Sequence, residues 1–229
     1  MSNDIWKKYQ RIGILGFGAL GKVYTAKYNN EFFAVKEIKK TTSDANFSKA
    51  IRTMKKMDCE NSSKVIEGLI TKDAFYIVSE LCDSNLGDYL KKRYKGFSIE
   101  EIRELLIDLN KGLKVISEKK IIHGNIKPSN ILLSFNINNV NKVCFKISDF
   151  GLSKLFEENI ISKSKRDTSE FISPELMKGE EISDKSDIWS LGILIYYLLF
   201  QQYPYNGTQY EIMKQIESNK QLNAINDKL

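Results

Sequence analysis

The spacing of apolar and polar residues predicts that the first third of the chain is rich in β-strands. Strand-like alternation covers four stretches: residues 9–28, 31–39, 65–70 and 74–80. Asn29 and Asn30 separate the first two stretches, and asparagine tolerates the positive φ angles that a two-residue hairpin turn requires. One helix is predicted after the second stretch, with Asp44 as its capping residue. Its apolar face consists of Phe47, Ile51, Met54 and Met57.

Helical periodicity dominates the rest of the chain. Ser98 and Glu101 have the spacing of a capping box, which predicts the start of a long helix. The apolar face of that helix consists of Ile102, Leu105, Leu106, Leu109, Leu113 and Ile116. Two short strand-like runs follow at 131–135 and 143–148, and the pattern is helical again from Ile182.

This order of elements predicts an α+β fold with two lobes. We expect a small β-rich N-lobe with one helix at about residues 1–80, and a hinge at about 81–85. A mostly helical C-lobe would follow at about 86–229. With 229 residues, of which 42% are hydrophobic, the chain is long enough to bury a sizeable core.

Composition excludes several classes of protein. The longest apolar run, Ile188–Phe200, is shorter than the roughly 20 residues of a membrane span, so it predicts a buried helix and no span. The start of the chain has neither an apolar signal core nor a glycine at position 2, so we expect a cytoplasmic or nuclear location. The three cysteines are scattered, which favours reduced thiols over a metal site.

The net charge of +6 raises the question of a nucleic-acid partner. The lysines are spread along the chain and no nucleic-acid motif accompanies them. A solvated surface explains this charge, and we expect no nucleic acid among the partners.

The first stretch with candidate chemistry is a glycine-rich turn between two strands. Gly16, Gly18 and Gly21 would form a hairpin whose backbone N–H groups can approach phosphates, or a hairpin with no ligand. Lys36 follows in the next strand, either as a surface residue or held inward to meet phosphate.

Four further motifs lie downstream in a fixed order. They are HGNIKPSN at 123–130, SDFG at 148–151, SPE at 173–175 and SDIWSLG at 186–192. Together with the glycine-rich turn and Lys36, they resemble the protein kinase family over residues 12 to about 205.

The resemblance implies a site for ATP and magnesium. Leu15, Val23, Ala34 and Leu132 would enclose the adenine. The backbone of Glu80 and Cys82 would bind the edge of the adenine, and Ser79 would be a small gatekeeper.

For the phosphates, the resemblance implies contact with Lys36 and Mg²⁺ held by Asn130 and Asp149. Lys127 resembles the serine/threonine type of catalytic loop, and Thr168 would pack against that loop. A protein substrate, or a protein that this chain regulates, is the implied partner.

Three positions depart from the family's pattern. Asn125 replaces the aspartate that accepts a proton from the substrate hydroxyl, and an amide is not a base. Ala50 replaces the helix glutamate that pairs with the strand lysine, so Lys36 is expected to use Asp149 or the phosphates. Gly124 replaces an arginine that pairs with a phosphorylated activation segment, so phosphorylation of Ser162, Ser164 or Thr168 would act only as a signal.

These departures are similar, at these positions, to the pseudokinase domains of Janus kinases. Three hypotheses follow: an ATP-binding pseudokinase that acts as a regulator or scaffold, a weakly active serine/threonine kinase, and an interaction module that binds no nucleotide. Because only one helix-like stretch follows residue 207, we also expect a truncated C-lobe with exposed apolar surface. Glu175 would then lack the arginine that the family pairs with it.

Overall fold

The computed structural model describes residues 5–18, 20–136, 139–153, 155 and 169–218. The predicted α+β fold is confirmed, with a sheet-rich N-lobe and a helical C-lobe. The predicted phosphorylation sites Ser162, Ser164 and Thr168 lie outside the described residues.

The N-lobe contains a five-stranded antiparallel sheet in the order β1-β2-β3-β5-β4. The strands are β1 (Gln10–Gly18), β2 (Gly21–Tyr28), β3 (Glu31–Lys39), β4 (Val65–Ile70) and β5 (Ala74–Glu80). Asn29 and Asn30 have φ angles of 47° and 65°, which confirms the two-residue hairpin turn between β2 and β3. The alternation of apolar residues therefore predicted these strands well.

One face of this sheet is covered by the start of the chain. Helix α1 (Ile5–Lys8) leads into Tyr9, which is buried and donates a hydrogen bond to Glu67 of β4. Trp6 meets the ring of Tyr24 edge-on, with ring centroids 5.1 Å apart. These contacts close a small apolar cluster that sequence periodicity did not indicate.

The opposite face of the sheet packs against helix α2 (Asp44–Met54) through Phe47, Ile51 and Met54. The prediction that Asp44 caps this helix is wrong. Ser43 has the extended backbone that a cap requires, and its Oγ accepts the N–H of Asn46 at 3.2 Å. Asp44 is instead the first helical residue.

The C-lobe begins after the chain leaves β5. Its elements are β6 (Ser84–Asn85), α3 (Leu86–Lys91), α4 (Ile99–Glu118), β7 (Ile131–Asn136), β8 (Asn139–Ile147), α5 (Pro174–Met177), α6 (Asp184–Phe200) and α7 (Gln209–Glu217). The predicted capping box at the start of α4 is confirmed, with Ser98 and Glu101 each bonding the other's backbone N–H. Strands β6, β7 and β8 form a second sheet that adjoins α4.

Helix α6 contributes to the core of the C-lobe, as its apolar sequence predicted. Leu194 and Leu198 are fully buried, but Ile188 is 63% exposed, so the prediction of a buried helix holds for part of its surface. None of the described helices has the length and apolar character to cross a membrane. Within the described residues, Ser186 of α6 donates a hydrogen bond of 2.7 Å to Glu175.

The contact between α2 and β4 leads to a prediction about stability. A Cβ on Gly68 would lie 2.5 Å from Cγ1 of Ile51, whereas a Cβ on Gly13 would meet no atom within 4 Å. Gly68→Ala should therefore lower the free energy of unfolding by about 1–3 kcal/mol through overpacking. Gly13→Ala is the matched control and should leave stability unchanged or slightly raised. Equal effects in urea denaturation would contradict this account of the packing.

Candidate functional site

The end of β1 lies close to the side chain of Lys36. A Cβ built on Gly18 would lie 3.8 Å from Nζ of Lys36, so the backbone at Gly18 closely approaches that cation. At Gly21 the reason for glycine is different, because a Cβ there would lie 1.8 Å from the carbonyl oxygen of Glu37 in β3. Gly21 is therefore required by strand packing, which the sequence motif alone did not reveal.

Lys36 pairs with Asp149 across the cleft between the lobes. Its Nζ donates to Oδ2 of Asp149, and the two side chains are only 13% and 20% exposed. Asp149 has a φ of 63°, a left-handed conformation that a non-glycine residue adopts when its surroundings hold it there. Ala50 offers no carboxylate, and the expectation that Lys36 would turn to Asp149 is confirmed.

The residues predicted to enclose the adenine come from both lobes. Val23 and Ala34 lie on the face of β2 and β3 that also carries Lys36, and all three are partly exposed. Leu15 in β1 is 50% exposed, and Leu132 in β7 is partly buried. Neighbouring residues of β2 and β3 on the other face, such as Tyr24 and Val35, are buried, so the open apolar positions lie on the cleft side.

The segment after β5 is anchored through the side chain of Glu80. Its carboxylate accepts the N–H of Lys64 at 2.7 Å and Nζ of Lys146 at 2.8 Å, which links the start of β4 to β8 in the C-lobe. Burial lowers the pKa of Lys146, but the hydrogen bond to Glu80 and the negative charge around it, chiefly that of Glu80, together outweigh burial and raise the pKa above its ordinary value. Lys146 is the register partner of Leu132, so this ion pair adjoins the predicted adenine site.

The backbone of Glu80 has only part of its hydrogen-bonding capacity open to the predicted adenine contact. Its N–H donates to the carbonyl of Lys64 at 3.0 Å, so only its carbonyl can contribute to binding an adenine edge. Burial raises the pKa of the Cys82 thiol to about 12, which keeps that thiol neutral. Ser79 pairs with Ala34 in the sheet and is partly exposed, as expected of a small side chain at the edge of the cleft.

The loop that carries Asn125 is held by a buried histidine. Nδ1 of His123 accepts the N–H of Asn125 at 3.2 Å, so Nε2 carries the proton that is donated to the carbonyl of Ser148 at 2.8 Å. Burial lowers the pKa of His123, which keeps the imidazole neutral. The carboxylate of Asp187 accepts the N–H groups of His123 and Gly124 at 2.9 and 2.6 Å.

Asn130 lies in this loop beside Asp149. Its Nδ2 donates to the carbonyl of Asn125 at 2.8 Å, and its own carbonyl accepts the N–H of Ser148 at 2.9 Å. The Asn130 side-chain oxygen and the Asp149 carboxylate are the kinds of donor that Mg²⁺ accepts alongside phosphate oxygens and water. The donor set therefore fits the metal that the resemblance implies. Lys127, also predicted here, is buried in the same loop.

The sequence of this chain is similar to those of known protein kinases. The model of the protein kinase domain matches residues 9–228. The chain belongs to the protein kinase family. Calcium-dependent protein kinase 4 of Plasmodium berghei is 30% identical over 223 residues, which cover 93% of this chain and 42% of that kinase.

Two other relatives are serine/threonine kinases by name. The putative serine/threonine-protein kinase R517/R518 of Acanthamoeba polyphaga mimivirus is 31% identical over 239 residues, covering 92% of this chain and 53% of its own length. Human serine/threonine-protein kinase Nek5 is 31% identical over 211 residues, which cover 87% of this chain and 29% of that kinase. The chain thus spans about half or less of the length of these kinases.

Gly124 occupies a position that the structure closes to any side chain. Its φ is 68°, and a Cβ there would lie 1.8 Å from Cδ1 of Ile182. Ile182 thus occupies the space beside this kinase loop, a contact that no local sequence signal indicated. The contact with Ile182 therefore gives a steric reason why an arginine would not fit at this position.

Gly124 and Gly179 allow the steric contact to be separated from the cost of a positive φ. Gly179 has a φ of 81° and no atom within 4 Å of a built Cβ. Gly179→Ala should cost about 1–2 kcal/mol for the left-handed conformation alone. Gly124→Ala should cost more, and adding Ile182→Ala should recover part of the difference. Equal costs for the two single variants in thermal or urea unfolding would contradict the steric role of Ile182.

Proposed function

We propose that this chain is an ATP-binding member of the kinase family with little or no phosphotransfer, which acts as a regulator or scaffold of a protein partner. One observation carries the proposal: the partly buried ion pair of Lys36 with Asp149 lies beside a loop that offers Asn125 in place of a carboxylate. The side chains that would bind phosphate and metal lie close together, whereas position 125 lacks a group that can accept a proton.

Each side chain has a defined part in nucleotide binding under this proposal. Lys36 would turn from Asp149 to the phosphates, and Asp149 with Asn130 would then hold Mg²⁺. When bound, the metal would supply positive charge next to the terminal phosphoryl group. The partly exposed apolar residues of the cleft, Leu15, Val23, Ala34 and Leu132, would enclose the adenine.

Asn125 limits what the site can do with a substrate hydroxyl. Its amide oxygen can accept a hydrogen bond, but it cannot remove a proton. Loss of a general base typically costs about 100-fold to 10,000-fold in rate, or roughly 3–5 kcal/mol in the barrier. Because phosphoryl transfer depends largely on positioning and electrostatics, weak serine/threonine kinase activity is the second candidate function. It is favoured by the retention of Lys127 and Asn130, both buried in the loop.

MgATP should raise the melting temperature of the purified protein, because a ligand that binds only the folded state stabilises it. At about 100 times the dissociation constant the gain is roughly 2.7 kcal/mol. Magnesium chloride alone is the control, and Lys36→Met should reduce the shift. Absence of any shift at millimolar MgATP would contradict nucleotide binding and leave the interaction module as the remaining hypothesis.

Phosphate transfer from labelled ATP to a generic protein substrate should be near background in the wild type. Asn125→Asp should restore activity only when Ala50→Glu is added, by about 100-fold or more, because both the base and the lysine's partner are then present. Ala45→Glu, at an exposed position of the same helix, is the matched control for Ala50→Glu and should not restore transfer. Strong wild-type transfer that is lost in Lys36→Met would establish the active kinase instead.

A further inference from the structure

After Asp44 in its first turn, the solvent-facing side of α2 carries cations and no anion. Lys49 and Arg52 are exposed on the helix, Lys55 is its C-terminal cap, and Lys56 is exposed in the turn that follows. We call these four residues the basic ridge. No aspartate or glutamate occurs from residue 45 to residue 57. Because Phe47, Ile51 and Met54 bury the other side of α2, the basic ridge faces outward.

No ion pair neutralises the basic ridge within the part of the chain that the structure describes, although the charge of Lys55 contributes to lowering the pKa of Glu67. None of the ion pairs found there includes a residue of the ridge. Like charges three or four residues apart destabilise a helix. The negative end of the helix dipole favours the cations in the last turn, but Lys49 lies more than one turn before the end of α2. Charge at the ridge is therefore available to an anionic ligand.

The footprint of such a ligand is bounded mainly at its C-terminal end, because Asp44 at the other end is paired with Lys40 at 2.7 Å. Asp44 lies at the start of α2, and Asp58 and Glu60 are exposed just beyond Lys56. At 1.5 Å per residue, the ridge is only roughly 10 Å long. A nucleic acid that extended past it would meet these carboxylates, whereas a short peptide would not.

We propose that the basic ridge binds a short acidic peptide segment of a partner protein. Charge complementarity determines the chemistry of the partner, and the flanking carboxylates determine its length. The ridge lies on the helix that carries Ala50, so an occupied ridge would hold α2 on β4 next to Lys36. That regulatory consequence rests on the proposed function, whereas binding to the ridge does not.

The experiment uses a fluorescein-labelled tetrapeptide made only of glutamate and aspartate, which is about 13 Å long when extended and so matches the ridge, with fluorescence polarisation as the readout. A glutamine and asparagine tetrapeptide and an eight-nucleotide single-stranded DNA are the comparison probes. At about 0.15 M salt, where the Debye length is about 8 Å, distant charges contribute little. The wild type should bind the acidic peptide more tightly than either comparison probe.

The triple variant Lys49→Glu, Arg52→Glu and Lys56→Glu should weaken binding of the acidic peptide at least tenfold, about 1.4 kcal/mol. The control triple variant Lys92→Glu, Lys95→Glu and Lys114→Glu makes the same change in net charge at exposed C-lobe sites. It should change the affinity by less than about threefold, since those three residues lie on the C-lobe and outside the ridge. If the first variant does not fold, the glutamine versions of the same three substitutions replace it.

Three results would overturn the proposal: no binding by the wild type, equal losses in both triple variants, or tighter binding of the DNA than of the acidic peptide. The same samples are tested for stabilisation by MgATP. Peptide binding without an ATP shift would contradict only the proposed nucleotide function, and an ATP shift without peptide binding would contradict only the role of the ridge.

Discussion

The ion pair between Lys36 and Asp149 joins the two lobes across the cleft, and the geometry of the candidate site depends on it. A lysine that is only 13% exposed needs a nearby anion, because an unpaired charge in a low-dielectric environment is strongly unfavourable. Helix α2 cannot supply one from residues 45–57. Asp149 therefore neutralises Lys36 and, through this ion pair, holds β3 against the end of β8.

The catalytic loop keeps its shape without using the side chain at position 125. The neutral imidazole of His123 joins the loop to Ser148, and Asp187 accepts two consecutive backbone N–H groups. These bonds are made by backbone atoms and by residues on either side of Asn125. An amide can therefore replace a carboxylate at position 125 while the loop remains in place, which separates the architecture of the site from its proton chemistry.

Local patterns predicted the elements well, and long-range contacts account for what they missed. The turn at Asn29 and Asn30 and the capping box at Ser98 depend on neighbouring residues, so the sequence carries their full signal. In contrast, Ile182 meets Gly124 only because the chain returns after 58 residues, and no periodicity records that contact. The site residues could be named because their motifs occur in a fixed order.

Nucleotide binding and phosphoryl transfer depend on different groups in the cleft. Nucleotide binding requires many groups from both lobes in register, and the bond from Lys146 to Glu80 links the lobes on the side of the predicted adenine site. Transfer requires in addition a carboxylate at one position and a glutamate on one helix. Neither group takes part in the bond from Lys146 to Glu80, and without the helix glutamate Lys36 pairs with Asp149 instead. The proposed function, nucleotide binding with little or no transfer, rests on this arrangement of contacts.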